Sequence, residues 1–128
     1  MSLRKNISTG TEWEEKAGYS RAVVIGNMIE VSGTVAADEN GKVVSKNNPY
    51  EQTKFILSKI ETTLIKAGAS IKDVVRTRMF VTDINNWQEV SNAHGEVFRN
   101  IKPASSLLEV SRLIDKDFLV EIEVTAVK

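Results

Sequence analysis

The most regular pattern of hydrophobic and polar positions lies between residues 48 and 68. Side chains that would share one helix face recur there every three or four positions: Thr53, Ile56, Leu57, Ile60 and Leu64. Asn48 is a preferred N-cap residue, and Pro49 suits the first helical position after it. Because Gly68 favours a helix end, the segment predicts an amphipathic helix between these two signals.

A second helical repeat begins near Asn86 and ends before Lys102-Pro103. Its apolar stripe includes the only histidine of the chain: Trp87, Val90, His94, Val97 and Phe98. A lone histidine on such a stripe is more typical of a packed residue with one hydrogen-bonded nitrogen than of a catalyst. We therefore expect a second packed helix, with His94 in the core or at an interface.

The remaining apolar segments have the features of strands. Two β-branched runs in residues 21–35 are separated by Gly26-Asn27, a hairpin signal, and Gly33 indicates a bulge or a close approach. The polar residues 1–17 predict an irregular lead-in. Further strands are predicted at 42–44, 73–82, 106–110 and 118–127. This order predicts one α+β domain over residues 1–128, a mixed sheet with two helices on one face.

The alternation within two strands predicts which side chains face those helices. In the last strand they are Val120, Ile122, Val124 and Ala126, and in residues 73–82 they are Val75, Thr77, Met79 and Val81. The opposite face would carry Val74, Arg76, Arg78, Phe80, Glu121 and Glu123. Such a face either meets solvent or is covered by a second copy of the chain, and its apolar members favour the second copy.

Composition excludes several kinds of chemistry. The 128 residues contain no cysteine, so disulfides, thiolate metal sites and a cysteine nucleophile are excluded. One histidine cannot form a two-histidine acid/base pair. Lys and Arg equal Asp and Glu at 17 each, which disfavours a general nucleic-acid or membrane-surface binder. No signal sequence or membrane span is evident, so we expect a soluble cytoplasmic protein.

Two places remain as candidates for chemistry. Glu121 on a strand could orient water or accept a proton, although a solvated strand carboxylate is the simpler interpretation. The segment Pro103-Ala104-Ser105-Ser106 could present hydroxyls and backbone N–H groups to a ligand. These serines lack a nucleophile-elbow motif and an adjacent base, so a loop before a strand is the simpler interpretation there too.

Several motifs together resemble the RidA/YjgF family, whose members are also described as endoribonuclease L-PSP or translation-inhibitor-like proteins. The matching segments occur in the family's order and span about residues 18–127. They are Gly18-Tyr19-Ser20-Arg21-Ala22-Val23, Gly26-Asn27-Met28-Ile29, Val31-Ser32-Gly33, Ala67-Gly68-Ala69-Ser70, Asp73-Val74-Val75-Arg76-Thr77, Pro103-Ala104, Glu109-Val110, Arg112-Leu113 and Val120-Glu121-Ile122-Glu123-Val124.

The resemblance implies a chorismate-mutase-like fold and a homotrimer with a central barrel and three clefts between subunits. It also implies hydrolysis of reactive enamines or imines to a keto acid and ammonia, without a metal or a bound cofactor. In this chemistry an arginine holds the substrate carboxylate and a glutamate places the attacking water. A small-molecule ligand in the intersubunit cleft is therefore expected.

Transferred residue by residue, the resemblance implies that Glu121 is the water-placing glutamate. Tyr19 and Gly33 would line the cleft, and Leu107 would contact the water through its backbone carbonyl. The family's arginine follows Pro-Ala directly, and Ser105 occupies that position here. A serine cannot supply the charged bidentate contact, so Arg78 is a candidate replacement, with Arg76 and Arg112 as alternatives.

Three functions remain open from the sequence. The first is a cleft that binds a carboxylate-bearing metabolite, with a variant deaminase activity on an imine, an enamine or an unsaturated amino acid such as aminomuconate. The second is a trimer without catalysis that senses a ligand or binds a protein partner. The third, a ribonuclease, is disfavoured because the chain has one histidine and no net charge.

Overall fold

The computed structural model describes residues 3–128. Its six strands are β1 (Arg4–Ile7), β2 (Ala22–Ile25), β3 (Met28–Val35), β4 (Val74–Val81), β5 (Ala104–Glu109) and β6 (Val120–Val127). Its three α-helices are α1 (Glu12–Ala17), α2 (Pro49–Lys66) and α3 (Trp87–Phe98). Two 3-10 turns, Ile71–Asp73 and Ile84–Asn86, precede β4 and α3.

All six strands form one mixed sheet in the order β1-β2-β3-β6-β4-β5. Neighbouring strands are antiparallel except β4 and β5, which are parallel because α3 carries the chain back between them. The predicted mixed α+β sheet is confirmed. Near its centre is β6, which pairs with β3 on one side and with β4 on the other.

The core lies between one face of this sheet and the helices α2 and α3. The predicted stripes are buried there: Thr53, Ile56, Leu57, Ile60 and Leu64 from α2, and Val120, Ile122, Val124 and Ala126 from β6. Asn48 caps α2 by accepting a hydrogen bond from the backbone N–H of Glu51, as its position predicts. Among residues 3–128, no helix combines the length and apolar character needed to cross a bilayer.

The predicted irregular lead-in at residues 1–17 is wrong for its described part, because it contains β1 and α1. Thr11 caps α1, and Gly18 ends it in the left-handed conformation. Hydroxyls of Ser8, Thr9 and Thr11 contact the buried Glu14 carboxylate. Burial disfavours its charge, but these hydrogen bonds together lower the pKa of Glu14. Short polar side chains therefore order a segment without apolar periodicity.

Three details of the predicted strands also differ from the structure. The strand expected at 42–44 is reduced to one bridge between Ala37 and Val43. In β4, Val74 is buried and Val75 is exposed, the reverse of the prediction, because the pairing with β6 shifts register between Val74 and Arg76. From Thr77 onward the predicted alternation is confirmed. The strand predicted at 106–110 begins earlier, at Ala104.

A fully buried glutamine connects α2 to the segment before β6. The amide nitrogen of Gln52 donates to the carbonyls of Val44, Ser45 and Asp117, at 3.2, 3.4 and 2.9 Å. Its amide oxygen accepts from the backbone N–H of Leu119 at 2.9 Å. Because Leu119 directly precedes β6, this side chain positions the start of the strand that carries Glu121.

Candidate functional site

The carboxylate of Glu121 lies directly over Gly33. Gly33 falls in a break of register between β3 and β6, where Val31 still pairs with Val124 and Thr34 pairs with Ile122. A β-carbon on Gly33 would lie 2.1 Å from Glu121 Oε2 and 2.9 Å from its Cδ. The predicted bulge is confirmed, and the position has no room for a side chain because a carboxylate occupies that space.

Arg21 joins this bulge from β2. One terminal nitrogen of its guanidinium donates to the carbonyl oxygen of Gly33 at 2.7 Å. The guanidinium carbon lies 5.9 Å from the centre of the Tyr19 ring, a cation–π distance. Through Arg21, the structure brings together three of the predicted site residues: Tyr19, Gly33 and Glu121.

The electrostatic environment of Glu121 suits a proton acceptor. Burial raises the pKa of the Glu121 carboxyl, the nearby Glu123 raises it further, and Arg21 lowers it in part. A carboxylate with a raised pKa is a stronger base at neutral pH than an exposed glutamate. The site therefore contains a base at the bulge and a cation beside it.

The raised pKa of Glu121 predicts a pH dependence of stability. Because the native protein binds this proton more tightly than the unfolded chain, Glu121 lowers the free energy of unfolding as pH rises from the ordinary value of 4.5 through its native pKa. We expect Glu121→Gln to gain stability relative to the wild type across that interval. Urea unfolding of both proteins at a series of pH values measures the difference, and a difference independent of pH would contradict the assignment.

Ser105 is directed to the helix face of the sheet. It pairs with Thr77 across the parallel strands, and the buried Thr77 hydroxyl donates to Ser105 Oγ at 2.8 Å. Thr77 Oγ1 also lies 2.9 Å from His94 Nε2. Burial lowers the pKa of His94, which keeps the imidazole neutral.

Ser105 and Glu121 are therefore on opposite faces of the sheet within one subunit. Glu121 pairs with Phe80, and Phe80 alternates with Thr77 and Met79, which are buried beneath the helices. The structure does not bring these two predicted site residues together in a single chain. A site that uses both would take them from two copies of the chain.

The remaining predicted residues lie on β4 and β5. Leu107 pairs with Met79 and is half-buried against the core. Arg78 is half-buried, opposite Glu123 on one side and Ser106 on the other, so it shares the open face with Glu121. Arg76, also on this face, donates to the Ser106 hydroxyl at 2.7 Å.

Sequence reasoning missed two cations near the bulge. In the sequence, Arg21 belongs to a family motif without an assigned role, and Lys59 is one of several polar residues on a predicted helix. The ammonium of Lys59 donates to the carbonyls of Ala37 and Val35, at 2.9 and 3.3 Å. Burial lowers the pKa of Lys59, and the neighbouring Arg21 lowers it further. Both cations contact carbonyls in or just after the irregular part of β3. No local sequence pattern predicts that these carbonyls would bring the two cations together.

Comparison with known proteins agrees with this architecture. Residues 9–128 match the family described as Endoribonuclease L-PSP. The chain belongs to this RidA/YjgF family. It is 40% identical over 111 residues to a RutC family protein of Pyrococcus abyssi, covering 86% of each chain. It is 33% identical over 106 residues to the 3-aminoacrylate deaminase RutC of Acinetobacter baylyi, covering 83% of each chain.

Solved structures of RidA/YjgF proteins have the same fold. A family member from Mycobacterium tuberculosis superimposes with a TM-score of 0.88 at 42% identity, covering 98% of this chain and 99% of that one. The YjgF gene product of Escherichia coli gives a TM-score of 0.81 at 30% identity, covering 97% and 98%. The fold implied by the sequence resemblance is confirmed.

Proposed function

We propose that this RidA/YjgF protein binds a small carboxylate-bearing metabolite in clefts between the subunits of a homotrimer, and hydrolyses a C=N bond of that metabolite. The substrate class is an enamine, an imine or an unsaturated amino acid. The observation that carries the proposal is the Glu121 carboxylate, half-buried over Gly33 with a raised pKa. The name of the Acinetobacter relative, a 3-aminoacrylate deaminase, supports the same class of reaction.

In the proposed reaction, Glu121 accepts a proton from a water molecule as the water oxygen bonds to the imine carbon. The C=N electron pair moves to nitrogen, which gains a proton, and a tetrahedral carbinolamine forms. Transfer of a proton to the amine lets ammonia leave as the C=O bond forms. An enamine first takes a proton on carbon to become the imine. The sum is imine plus water to ketone plus ammonia.

The open face and its edges support assembly into a trimer. Within residues 3–128, β5 is an edge strand, and its Leu108 is 53% exposed. The open face also carries Arg76, Arg78 and Glu123, so a second copy could cover it with complementary charge. A subunit boundary at this face would also explain why Ser105 and Glu121 lie on opposite faces of one chain.

The serine at position 105 affects which substrates are held well. Its hydroxyl already accepts a hydrogen bond from Thr77 and carries no charge. Small imino acids have one carboxylate, so they would lose the contact that the family resemblance assigns to an arginine. We propose that a longer unsaturated amino dicarboxylate such as 2-aminomuconate is a better substrate, because a second carboxylate can reach other cations.

Ammonia release tests this proposal. We expect 2-aminomuconate, generated in situ, to lose ammonia faster with the purified protein than without it, and small imino acids to respond weakly. Glu121→Gln should reduce the rate by about 100-fold or more, the usual contribution of a general base. Absence of protein-dependent ammonia release from every substrate would refute the hydrolase.

A companion variant tests the role of position 105. We expect Ser105→Arg alone to leave small imino acids poor substrates, because the side chain at this position is directed toward Thr77 beneath α3. A large gain in activity would instead mean that one residue separates this protein from an imine deaminase.

A second candidate is a trimer that binds its ligand without catalysis. The hydrogen bond between Thr77 and Ser105 favours it, because together with the contact between Thr77 and His94 it forms a structural hydrogen-bond chain. Ligand binding that is unchanged in Glu121→Gln, together with no ammonia release, would select this alternative.

A further inference from the structure

Arg21, which contacts the bulge at Gly33, also borders a groove. The groove has a volume of about 200 Å³ and lies along α2. Its walls include three cations and five hydroxyl side chains: Arg21, Lys59, Lys66, Thr9, Thr34, Ser58, Thr62 and Thr63. None of the residues that line it is acidic. Such a lining is complementary to an anion with several oxygen acceptors.

One hydrogen-bond donor of Arg21 lacks an acceptor. Within residues 3–128, Nε of Arg21 is a buried side-chain nitrogen without a hydrogen-bond partner. Buried donors in native proteins are nearly always paired, and an unpaired one calls for an explanation. The contact with the Gly33 carbonyl holds the guanidinium in place at the groove that Arg21 lines, and an anion bound beside it would offset the unpaired donor electrostatically.

Lys59 adds a second charge of the same sign close to Arg21. It is half-buried, and its ammonium is held by the carbonyls of Val35 and Ala37. Burial and Arg21 disfavour the charged form of Lys59 and lower its pKa, and Asp38 favours the charged form in part. A bound anion would offset the effect of Arg21 on Lys59, and partial burial would strengthen its attraction to both groups.

We propose that Arg21 and Lys59 bind a carboxylate of the metabolite, and so supply the charge that position 105 lacks. The identity of the ligand rests on the proposed function, whereas the anion site itself rests on the geometry of the groove. Because Arg21 contacts Gly33 and Glu121 covers Gly33, the anion site adjoins the bulge that carries Glu121.

Titration calorimetry with 2-oxobutyrate, a stable keto acid, tests this site. We expect the wild-type protein to bind it at millimolar concentrations and the neutral amide of the same acid to bind much more weakly. Arg21→Gln and Lys59→Met should each weaken binding by about tenfold or more, as expected for loss of a charged hydrogen bond. Arg99→Gln, at the exposed end of α3, and Lys116→Met, at an exposed position in the loop before β6, are the matched controls.

Light scattering and circular dichroism establish that each variant keeps the assembly and fold of the wild type. If Arg21→Gln fails to fold, Lys59→Met provides the test, because Lys59 is only half-buried. No binding of 2-oxobutyrate by the wild type, equal binding of the amide, or unchanged affinity in the folded variants would each overturn the proposal.

Calorimetry and the ammonia assay together distinguish a failure of the anion site from a failure of the hydrolase activity. Binding that depends on Arg21, with no ammonia release from any substrate, would leave the anion site standing and refute the proposed reaction. Ammonia release that depends on Glu121, with the KM unchanged in Arg21→Gln and Lys59→Met, would support the reaction and refute the anion site.

Discussion

Replacement of Gly33 by alanine is expected to reduce hydrolysis by about 100-fold, the cost of a misplaced catalytic group. The added methyl group would lie 2.1 Å from Glu121 Oε2, so the carboxylate must move away from the bulge. The backbone of Gly33 is not in the left-handed region, so the effect comes from occupied space. Ammonia release with 2-aminomuconate measures the loss, and calorimetry with 2-oxobutyrate shows whether the anion site remains.

The control for this prediction is Gly95→Ala in α3. A β-carbon there meets only Arg99 Nη2 at 3.6 Å, an ordinary contact, so activity should be unchanged. In a double-mutant cycle, Gly33→Ala should have little further effect on a Glu121→Ala protein, because the group it displaces is already gone. Additive effects of the two substitutions would contradict the role of Gly33 in positioning Glu121.

Gln52→Leu is expected to lower the free energy of unfolding by at least about 2 kcal/mol, because each buried polar group left unsatisfied costs about 1–3 kcal/mol. The substitution removes the partner of the Leu119 N–H and of the Asp117 carbonyl. Both lie just before β6, so catalytic activity should fall as well. Urea denaturation measures the stability, and ammonia release at low urea measures the activity.

Gln88→Leu provides the matched control, because Gln88 is exposed on α3. Surface substitutions of this kind usually change stability by less than about 0.5 kcal/mol. A similar small effect for Gln52→Leu would mean that the four hydrogen bonds of Gln52 contribute little to holding the start of β6.

Much of the fold follows from local pattern. The stripe of α2, its cap at Asn48 and the alternation of β6 were readable because each repeats with a fixed helical or strand period. The lead-in was missed because Thr11 and Glu14 order it through side-chain hydrogen bonds, which leave no period in the sequence. The switched sides of Val74 and Val75 arise from pairing with β6, a strand about 50 residues away along the chain.

Part of the candidate site was also predictable from the sequence, and part was not. Glu121, Gly33 and Tyr19 were identified from motifs, and the structure brings them together at the bulge. The roles proposed for Arg21 and Lys59 had no signal in the sequence, because an arginine before a strand and a lysine on a helix are common. Their importance depends on which charges face them and which donors remain unpaired.

The sequence by itself determined the strands and helices of the core, the family to which the chain belongs and the small number of reactive side chains. These properties depend on residue type and spacing. Only the tertiary structure decided that Ser105 is turned toward Thr77, that Glu121 occupies the space above Gly33 and that three cations border a groove without acidic lining residues. The physical reason is that register, burial and charge proximity are properties of pairs of residues far apart in the chain. They exist only once the sheet has formed.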